Sequence, residues 1–424
     1  MIFTDELIQE VKDKTDIVKI ISRYTTLHKE GEEYIGYCPF HKESTPSFHV
    51  YPEDKSFKCF GCGETGDVFT FLMKAENMEF DEVMARLSRA CNVKLPPRYT
   101  EEENKRYDAL MNINERACTY YREMARKSLA ALGYIRQRGL DNTTLKNFSI
   151  GFCPENSNLY QMLKKDYDDA TLRESGLFII NERGAIDKFA GRLIFPIKDK
   201  DGNIIAFGGR IIKNDPDAAK YINSYDSLVY SKSHNLFALD VAKNTSRNYL
   251  LLCEGYMDAI SLHQAGFDNA IASLGTALTK EQASLIARHT DEVILTQDSD
   301  EAGIKAILRS IPLLRENNIV AKVLDMSPYK DPDEFIKNEG RDAFQERIDK
   351  AVPAFLFELK QKAKDLNLDN PLVKKEFFNK AVRCLAEEVK KDKRQMCIDI
   401  LHDEYGFKKE NIIRQMKIED MYIR

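Results

Sequence analysis

The sequence predicts a multidomain protein of mixed α+β and α/β class. A small β domain comes first, then a basic α+β subdomain, a parallel-sheet α/β subdomain and a closing helical one. Three observations predict this. Two Cys/His pairs punctuate an aromatic, Gly/Pro-broken stretch over 34–62, strand and helix patterns alternate from about 247 to 335, and the composition is helical and strand-poor beyond about 340. At 424 residues the chain exceeds the roughly 100–200 residues of one ordinary domain, and 43% apolar residues suffice for several cores. No apolar run approaches the roughly 20 residues that span a bilayer, and the start MIFTDELIQE lacks the basic flank and apolar stretch of a signal peptide. Both features point away from a membrane or secreted protein. Nine cysteines without an export signal argue for reduced thiols or metal binding over a disulfide framework.

Along the chain, residues 1–20 predict one amphipathic helix, with Ile8, Val11, Ile17 and Ile20 on a common face. Tyr34 to Cys62 reads as a small antiparallel sheet, and VFTFLMKAENMEFDEVMARLSRA returns to helix. The Pro pair and charge run of LPPRYTEEENKRYD mark a linker, placed at 99–112. In GRLIFPIKDKDGNIIAFGGRII the Asp201-Gly202 pair separates two β-rich runs and predicts a hairpin. NYLLLCE, NAIASLG, EVILTQD and AKVLDM then alternate with helical segments, the second opening on a Thr279/Gln282 capping box. That rhythm implies βαβ units around a parallel sheet.

Charge is unevenly spread under a net −5. Residues 121–250 hold 20 Lys/Arg against 15 Asp/Glu, whereas 251–340 hold 8 against 15. A basic stretch followed by an acidic one suits phosphates held beside a carboxylate metal site.

Cys38-Pro-Phe-His41 and Cys59-Phe-Gly-Cys62 are two knuckles with x2 spacing, able to close four soft ligands around a zinc ion. All four positions come from protein, so the site is structural, and the domain is zinc-ribbon-like. Buried thiols beside a surface histidine are the plain alternative. The aromatic and basic face of Phe48, His49, Tyr51, Lys55, Phe57, Lys58 and Phe60 suits single-stranded nucleic acid, although strand alternation turns about half of it into the core.

In the parallel domain, acids stand where such sheets place chemistry, at carboxyl ends of strands. Glu254 ends the first strand with Asp258 four residues on, Asp298 and Asp300 end the third in QDSD, and Asp331 and Asp333 follow the fourth in KDPDEFI. Oxygen-only ligands call for Mg²⁺ or Mn²⁺. Helix N-terminal placement alone would account for Asp300 and Glu301, not for repetition at three strand ends. The chain carries no GxSxG elbow and no GxxxxGK[ST] loop.

Together these motifs resemble the bacterial replicative primases of the DnaG type. YCPFHKESTPSFHV and SFKCFGCGETGDVFTFLM resemble their zinc domain; GRLIFPI, IIAFGGR, KYINS and SKSHNLFAL resemble the basic part of their RNA polymerase core; EGYMD, LGTALT, QDSDEAG and KDPDEFI resemble its TOPRIM metal domain. The resemblance covers about 1–340 in one order. It implies a zinc-binding domain at 1–98, a basic subdomain at 113–246, a TOPRIM subdomain at 247–335 and a helical subdomain at 336–424. The implied activity is synthesis of short RNA primers from ribonucleoside triphosphates on single-stranded DNA, leaving an RNA–DNA hybrid, by a cytoplasmic monomer at the replication fork. Glu254, Asp298 and Asp300 would hold catalytic magnesium or manganese, with Asp258, Asp331 and Asp333 supporting. Arg138, Arg192, Arg210, Lys220 and Lys232 would meet template and nucleotide phosphates, with Asn223 and Ser224 in the same groove. The family's separate helicase-docking domain is expected to be absent. Two positions depart from the family pattern: Ala219 replaces the Pro before KY, and Tyr225-Asp226 replaces Pro-Glu after Asn-Ser.

Other proteins with these acids compete for the reading. A type IA topoisomerase needs a nucleophilic Tyr in a further large domain, a TOPRIM nuclease leaves the zinc module and the FGGR and KYINS motifs unexplained, and a non-catalytic DNA clamp should be shorter with a four-Cys zinc site.

Overall fold

The computed structural model describes all residues except 1–2, 77, 97–99, 183, 214, 276, 387–390 and 424. They form two compact units, Met1–Asn104 and Lys105–Arg424.

The smaller unit is built on a five-stranded antiparallel sheet of β1 (Leu27–Glu30), β2 (Glu33–Gly36), β3 (Phe48–Tyr51), β4 (Ser56–Cys59) and β5 (Thr65–Asp67), in that order. Alternation along β3 and β4 sends Phe48, Val50, Phe57 and Cys59 inward. Phe48 and Phe57 stack at 5.1 Å, and Phe40 and Phe71 pack against both. The single helix expected over 1–20 is two helices, Asp5–Lys14 and Ile17–Ile21; Met1 and Ile2 lie outside the described residues. Thr15 is extended, and Asp16 starts the second helix by accepting a hydrogen bond from the Lys19 amide at 3.0 Å. A periodic apolar face survives such a break because both pieces still bury it.

The expected linker at 99–112 also differs. Tyr99 lies outside the described residues, but from Glu101 the chain runs as a helix to Lys127. Thr100 and Glu103 form reciprocal caps, and Glu101–Glu103 place negative charge at the positive end of the helix dipole. The charge run is thus a helix start, and the division between the two units falls inside this helix.

In the larger unit, an antiparallel sheet has the order β11-β10-β9-β6. Its strands are β6 (Gly151–Cys153), β9 (Arg192–Lys198), β10 (Ile204–Ile211) and β11 (Tyr221–Asn223). A separate two-stranded ribbon, β7 (Phe178–Asn181) and β8 (Gly184–Asp187), precedes β9. The β9–β10 hairpin turns at Asp201-Gly202 as expected, Gly202 taking the left-handed φ of 88° that the turn requires. A second sheet follows, ordered β13-β12-β14-β15-β16. β12 (Leu250–Cys253), β13 (Ala270–Ala272), β14 (Glu292–Leu295) and β15 (Val320–Val323) are parallel, and the short β16 (Val352–Pro353) is antiparallel to β15. The strand order reverses between β12 and β14, which makes their carboxyl ends a topological switch point. One core spans both sheets, joining Phe195 of β9 and Ile205 of β10 to Tyr256, Ile260, Phe335 and Phe344. Beyond residue 353 the described chain is helical, with its own core of Leu359, Phe377, Val382, Leu385 and Leu401.

Candidate metal centres and phosphate groove

In the small unit, Cys38, His41, Cys59 and Cys62 bring their donor atoms within 4.8 Å of one another. Thiolates on a tetrahedral zinc ion with bonds of about 2.3 Å stand about 3.8 Å apart. Cys38 Sγ lies 3.9 Å from Cys62 Sγ, and Cys59 Sγ lies 3.8 Å from His41 Nδ1, so the residues fit the ion. Glu43, which sequence reasoning missed, organises the set. Its carboxylate lies 3.3 Å from His41 Nε2 and accepts hydrogen bonds from the Cys38 amide at 2.6 Å and from Ser47. A carboxylate behind a ligating imidazole fixes its tautomer and orientation. Burial pushes the Cys38 thiol up. Burial acts on Cys59 the same way, but hydrogen bonds from Ser47 and the Cys62 amide bring it below the usual thiol value. Gly61 is required sterically, since a Cβ there would sit 2.6 Å from His41 Nε2 and 2.7 Å from Ser47 Oγ. On the outer side of the sheet, Lys58 lies over Phe60 at 4.9 Å and His49 meets the same ring edge-on at 4.9 Å; Phe60 is exposed.

The carboxylates gather at the switch point. Glu254 follows β12 and Asp298 follows the neighbouring β14. Burial, then the charges of Asp298 and Asp300, push Glu254 up. Asp258, in the first turn of the helix Tyr256–Gln264, is pushed well up by burial and then by Asp331, Asp298 and Asp333. Asp298 is also raised by burial, against the pull of the Lys330 ammonium 3.1 Å away. Asp300 is lowered by the Gly303 amide it caps at 3.0 Å. These acids are spread more widely than the Cys/His set, which among the described residues is the only group of three or more candidate ligands with all donors within 4.8 Å. Their oxygen-only donors and mutual repulsion fit a hard divalent cation. Gly303 permits the loop, because a Cβ there would meet the Asp298 carbonyl oxygen at 2.0 Å.

Asp331 and Asp333, whose charges reach Asp258, also bind the protein around them. Asp331 caps the helix Pro332–Asp349 through the Glu334 amide at 2.8 Å. Asp333 is buried, accepting from Ser261, from Lys337 at 2.7 Å and from Arg138 at 3.4 Å. Arg138 therefore connects the basic and acidic subdomains. Its Nε donates to Tyr134 Oη at 3.0 Å, and the Tyr134 ring also carries Arg210, whose Nη1 donates to Tyr221 Oη at 2.7 Å. Burial lowers the Lys220 ammonium, and the charges of Arg210, Arg138 and Lys330 lower it further. Arg138, Arg210, Lys220 and Lys330 are thus one cationic cluster facing the acids.

Arg192 does not join it. Its guanidinium is buried and donates to the main-chain carbonyl of Ala219 at 2.8 Å, bracing that loop. Asn223 binds across the subdomains, accepting from Tyr256 Oη at 2.5 Å and donating to the Leu274 carbonyl at 2.8 Å. Ser224 is buried against Phe207 of β10, its hydroxyl accepting the Phe207 amide at 3.1 Å. The Lys232 main chain is fixed by Asp226 and by Gln282 of the capping box, whose buried amide donates to its carbonyl at 3.1 Å. Thr276, inside the LGTALT motif, lies outside the described residues.

Known proteins carry the same parts in the same order. Residues 3–103 match the CHC2 zinc finger family, 119–243 the N-terminal domain of the DNA primase catalytic core, and 251–336 the Toprim-like family. The DNA primase of Clostridium acetobutylicum is 36% identical over 419 residues, covering 97% of this chain and 70% of the relative. The chain belongs to the DnaG-type DNA primase family. It is, accordingly, an enzyme of primer synthesis. The zinc-binding and RNA polymerase domains of the Aquifex aeolicus primase superpose with a TM-score of 0.62 at 34% identity, covering 96% of this chain and 99% of that one. A DnaG primase catalytic domain bound to single-stranded DNA superposes at 0.65 with 27% identity, covering 73% of this primase and 99% of the other.

Of the residues that sequence reasoning overlooked, Lys330 stood inside the quoted KDPDEFI motif, and its position beside three acids was the signal. Glu43, Ser47 and Tyr256 also lay inside quoted motifs, but their roles, like that of Tyr134, depend on which neighbours the fold brings to them, as with the hydrogen bond from Tyr256 to Asn223 33 positions away.

Proposed function

We propose that this primase polymerises ribonucleoside triphosphates on single-stranded DNA at the junction of its basic cluster and the β12–β14 switch point. The carrying observation is the juxtaposition of Glu254, Asp298 and Asp300 with Arg138, Arg210, Lys220 and Lys330, linked directly through the Lys330–Asp298 and Arg138–Asp333 pairs. In this reading Glu254, Asp298 and Asp300 hold magnesium or manganese. Asp258 keeps the first helical turn in place through the Gly255 amide, while Asp331 and Asp333 orient the following helix and Arg138. Divalent cations bound there would lower the pKa of a primer 3′-oxygen and stabilise charge on departing pyrophosphate. Arg138, Arg210 and Lys220 neutralise the triphosphate and template backbone, which aromatic rings beneath two of the guanidiniums favour by fixing their planes. Arg192, Asn223 and Ser224 shape the groove from behind, and Lys232 borders it.

Zinc-domain residues 1–98 contribute the outward face of His49, Tyr51, Lys58 and Phe60 as a platform for template bases. The basic subdomain spans 113–246, the metal-binding subdomain 247–335 and the helical subdomain 336–424. Among the described residues no helix is long and apolar enough to cross a membrane, which agrees with work in the bacterial cytoplasm. The solved primase catalytic domain bound to single-stranded DNA supports the choice of template. A replicative helicase would be the partner of the full-length family.

The test is synthesis of labelled RNA on a mixed-sequence single-stranded template with Mg²⁺, comparing wild type with Asp298→Ala. Short RNA from the wild type alone is the expected result, with zinc content and template binding retained in the variant. Product surviving in Asp298→Ala would move the catalytic cation elsewhere.

A further inference from the structure

Tyr225 stands where the family pattern has proline, and the structure makes it a prominent surface ring, 67% exposed. The Lys188 ammonium lies 3.2 Å from its ring centroid and donates to the Asn223 carbonyl at 2.7 Å. The ring is therefore braced from one side by a cation anchored to the main chain of the groove motif. Its backbone is braced as well, because Gly176, with a left-handed φ of 70°, brings bare main chain against the Tyr225 amide; a Cβ there would lie 3.3 Å from that nitrogen.

An independent feature extends this surface. In the β7–β8 ribbon Ile179 pairs directly with Ile186, and both are exposed, at 48% and 61%. The ladder continues past β8, since the Lys188 amide donates to the Leu177 carbonyl at 2.8 Å. Lys188 follows directly on β8, in the turn that closes the ribbon, two residues beyond the exposed Ile186. Ile179 and Ile186 on the ribbon, Lys188 in the turn that follows it and Tyr225 against the Lys188 ammonium make up this surface, with exposed Asp226 next to the ring. The surface begins at Asn223, whose side chain binds Tyr256 of the catalytic subdomain.

We infer that this surface is a base-stacking track for single-stranded DNA, with Tyr225 as its platform and Lys188 as the cation that braces the ring from beneath. The inference rests on the primase reading and adds a template contact to it. An aromatic face beside a cation is the surface that successive bases use without sequence preference, and a neighbouring β-branched pair offers apolar cover to the next base. A protein partner would find little here to satisfy. The surface offers one cation, and its apolar pair sits on a two-stranded ribbon.

The experiment titrates the zinc-loaded full chain into a single-stranded oligodeoxynucleotide containing 2-aminopurine, comparing wild type, Tyr225→Phe and Tyr225→Ala. Primer synthesis is run in parallel. Loss of one base–aromatic stack weakens binding by about 5- to 150-fold. Tyr225→Ala should show that loss, reduced quenching of the probe and a raised KM for template with kcat preserved, while Tyr225→Phe behaves as wild type. An unchanged melting temperature separates lost stacking from lost folding. If wild type makes primers and Tyr225→Ala binds and quenches as wild type does, the track is refuted, the primase reading stands and the surface belongs to a protein contact. If the wild type neither binds the oligonucleotide nor makes primers, both readings fall together.

Discussion

Gly61→Ala tests whether the zinc knuckle depends on bare backbone at one position. The added Cβ would approach His41 Nε2 to 2.6 Å, His41 Cε1 to 2.8 Å and Ser47 Oγ to 2.7 Å, whereas ordinary contact begins at 3.4 Å. The imidazole would have to retreat by about 0.8 Å, or the Gly61 backbone would have to move and carry Cys62 with it. Either motion exceeds the roughly 0.2 Å within which zinc–ligand distances are held. It also disturbs Glu43, which supports His41 at 3.3 Å and the Cys38 amide at 2.6 Å. Losing such a supporting contact usually costs 10- to 100-fold in metal affinity, so the variant should lose at least about tenfold, or about 1.4 kcal/mol. Competition for zinc with a metallochromic chelator at neutral pH measures this on the full chain. Because metal binding and folding are linked, the thermal transition of the small unit should also fall at limiting zinc. A variant that holds zinc within twofold of the wild type would refute the steric argument.

Two further outcomes follow from buried charge. Arg315 and Glu358, both side chains under a tenth exposed, pair at 2.6 Å between the helix after Asp300 and the helix Ala354–Ala363. Arg315→Met should cost about 3–5 kcal/mol by stranding the Glu358 carboxylate, and Arg315→Met/Glu358→Met should cost less; urea unfolding that ranks them the other way would refute this. Burial lowers the Lys188 ammonium to about 8, so its Cε resonance in a ¹³C-lysine NMR titration should move with a midpoint near that value. Between about 8 and the ordinary 10.5 the unfolded chain binds the extra proton, so this group's contribution to stability rises with pH across that window; a midpoint above 10 would contradict its burial.

The sequence by itself determined the Cys/His set of the candidate zinc site, the parallel-sheet domain and the acids at its strand ends. Each is encoded locally: x2 ligand spacing, a strand–helix period, carboxylates in the loops that follow apolar runs. The Thr279/Gln282 capping box and the Asp201-Gly202 turn were legible for the same reason, since caps and turns are satisfied within a few residues. The break at Thr15 and the helical start at Glu101 were misread because apolar periodicity and charge runs do not reveal which backbone amides a neighbouring side chain will cap. Tertiary structure alone decided the division of labour among the basic residues. In sequence Arg192 and Arg210 are equivalent arginines on paired strands. In the fold, Arg192 is turned onto main-chain carbonyls while Arg210 lies between two tyrosine rings beside the acids. What separates them is which side of the β9–β10 sheet receives the catalytic subdomain. That side is set by packing between residues far apart in the chain, such as Phe195 stacked on Tyr256 at 5.3 Å, and no local pattern carries it.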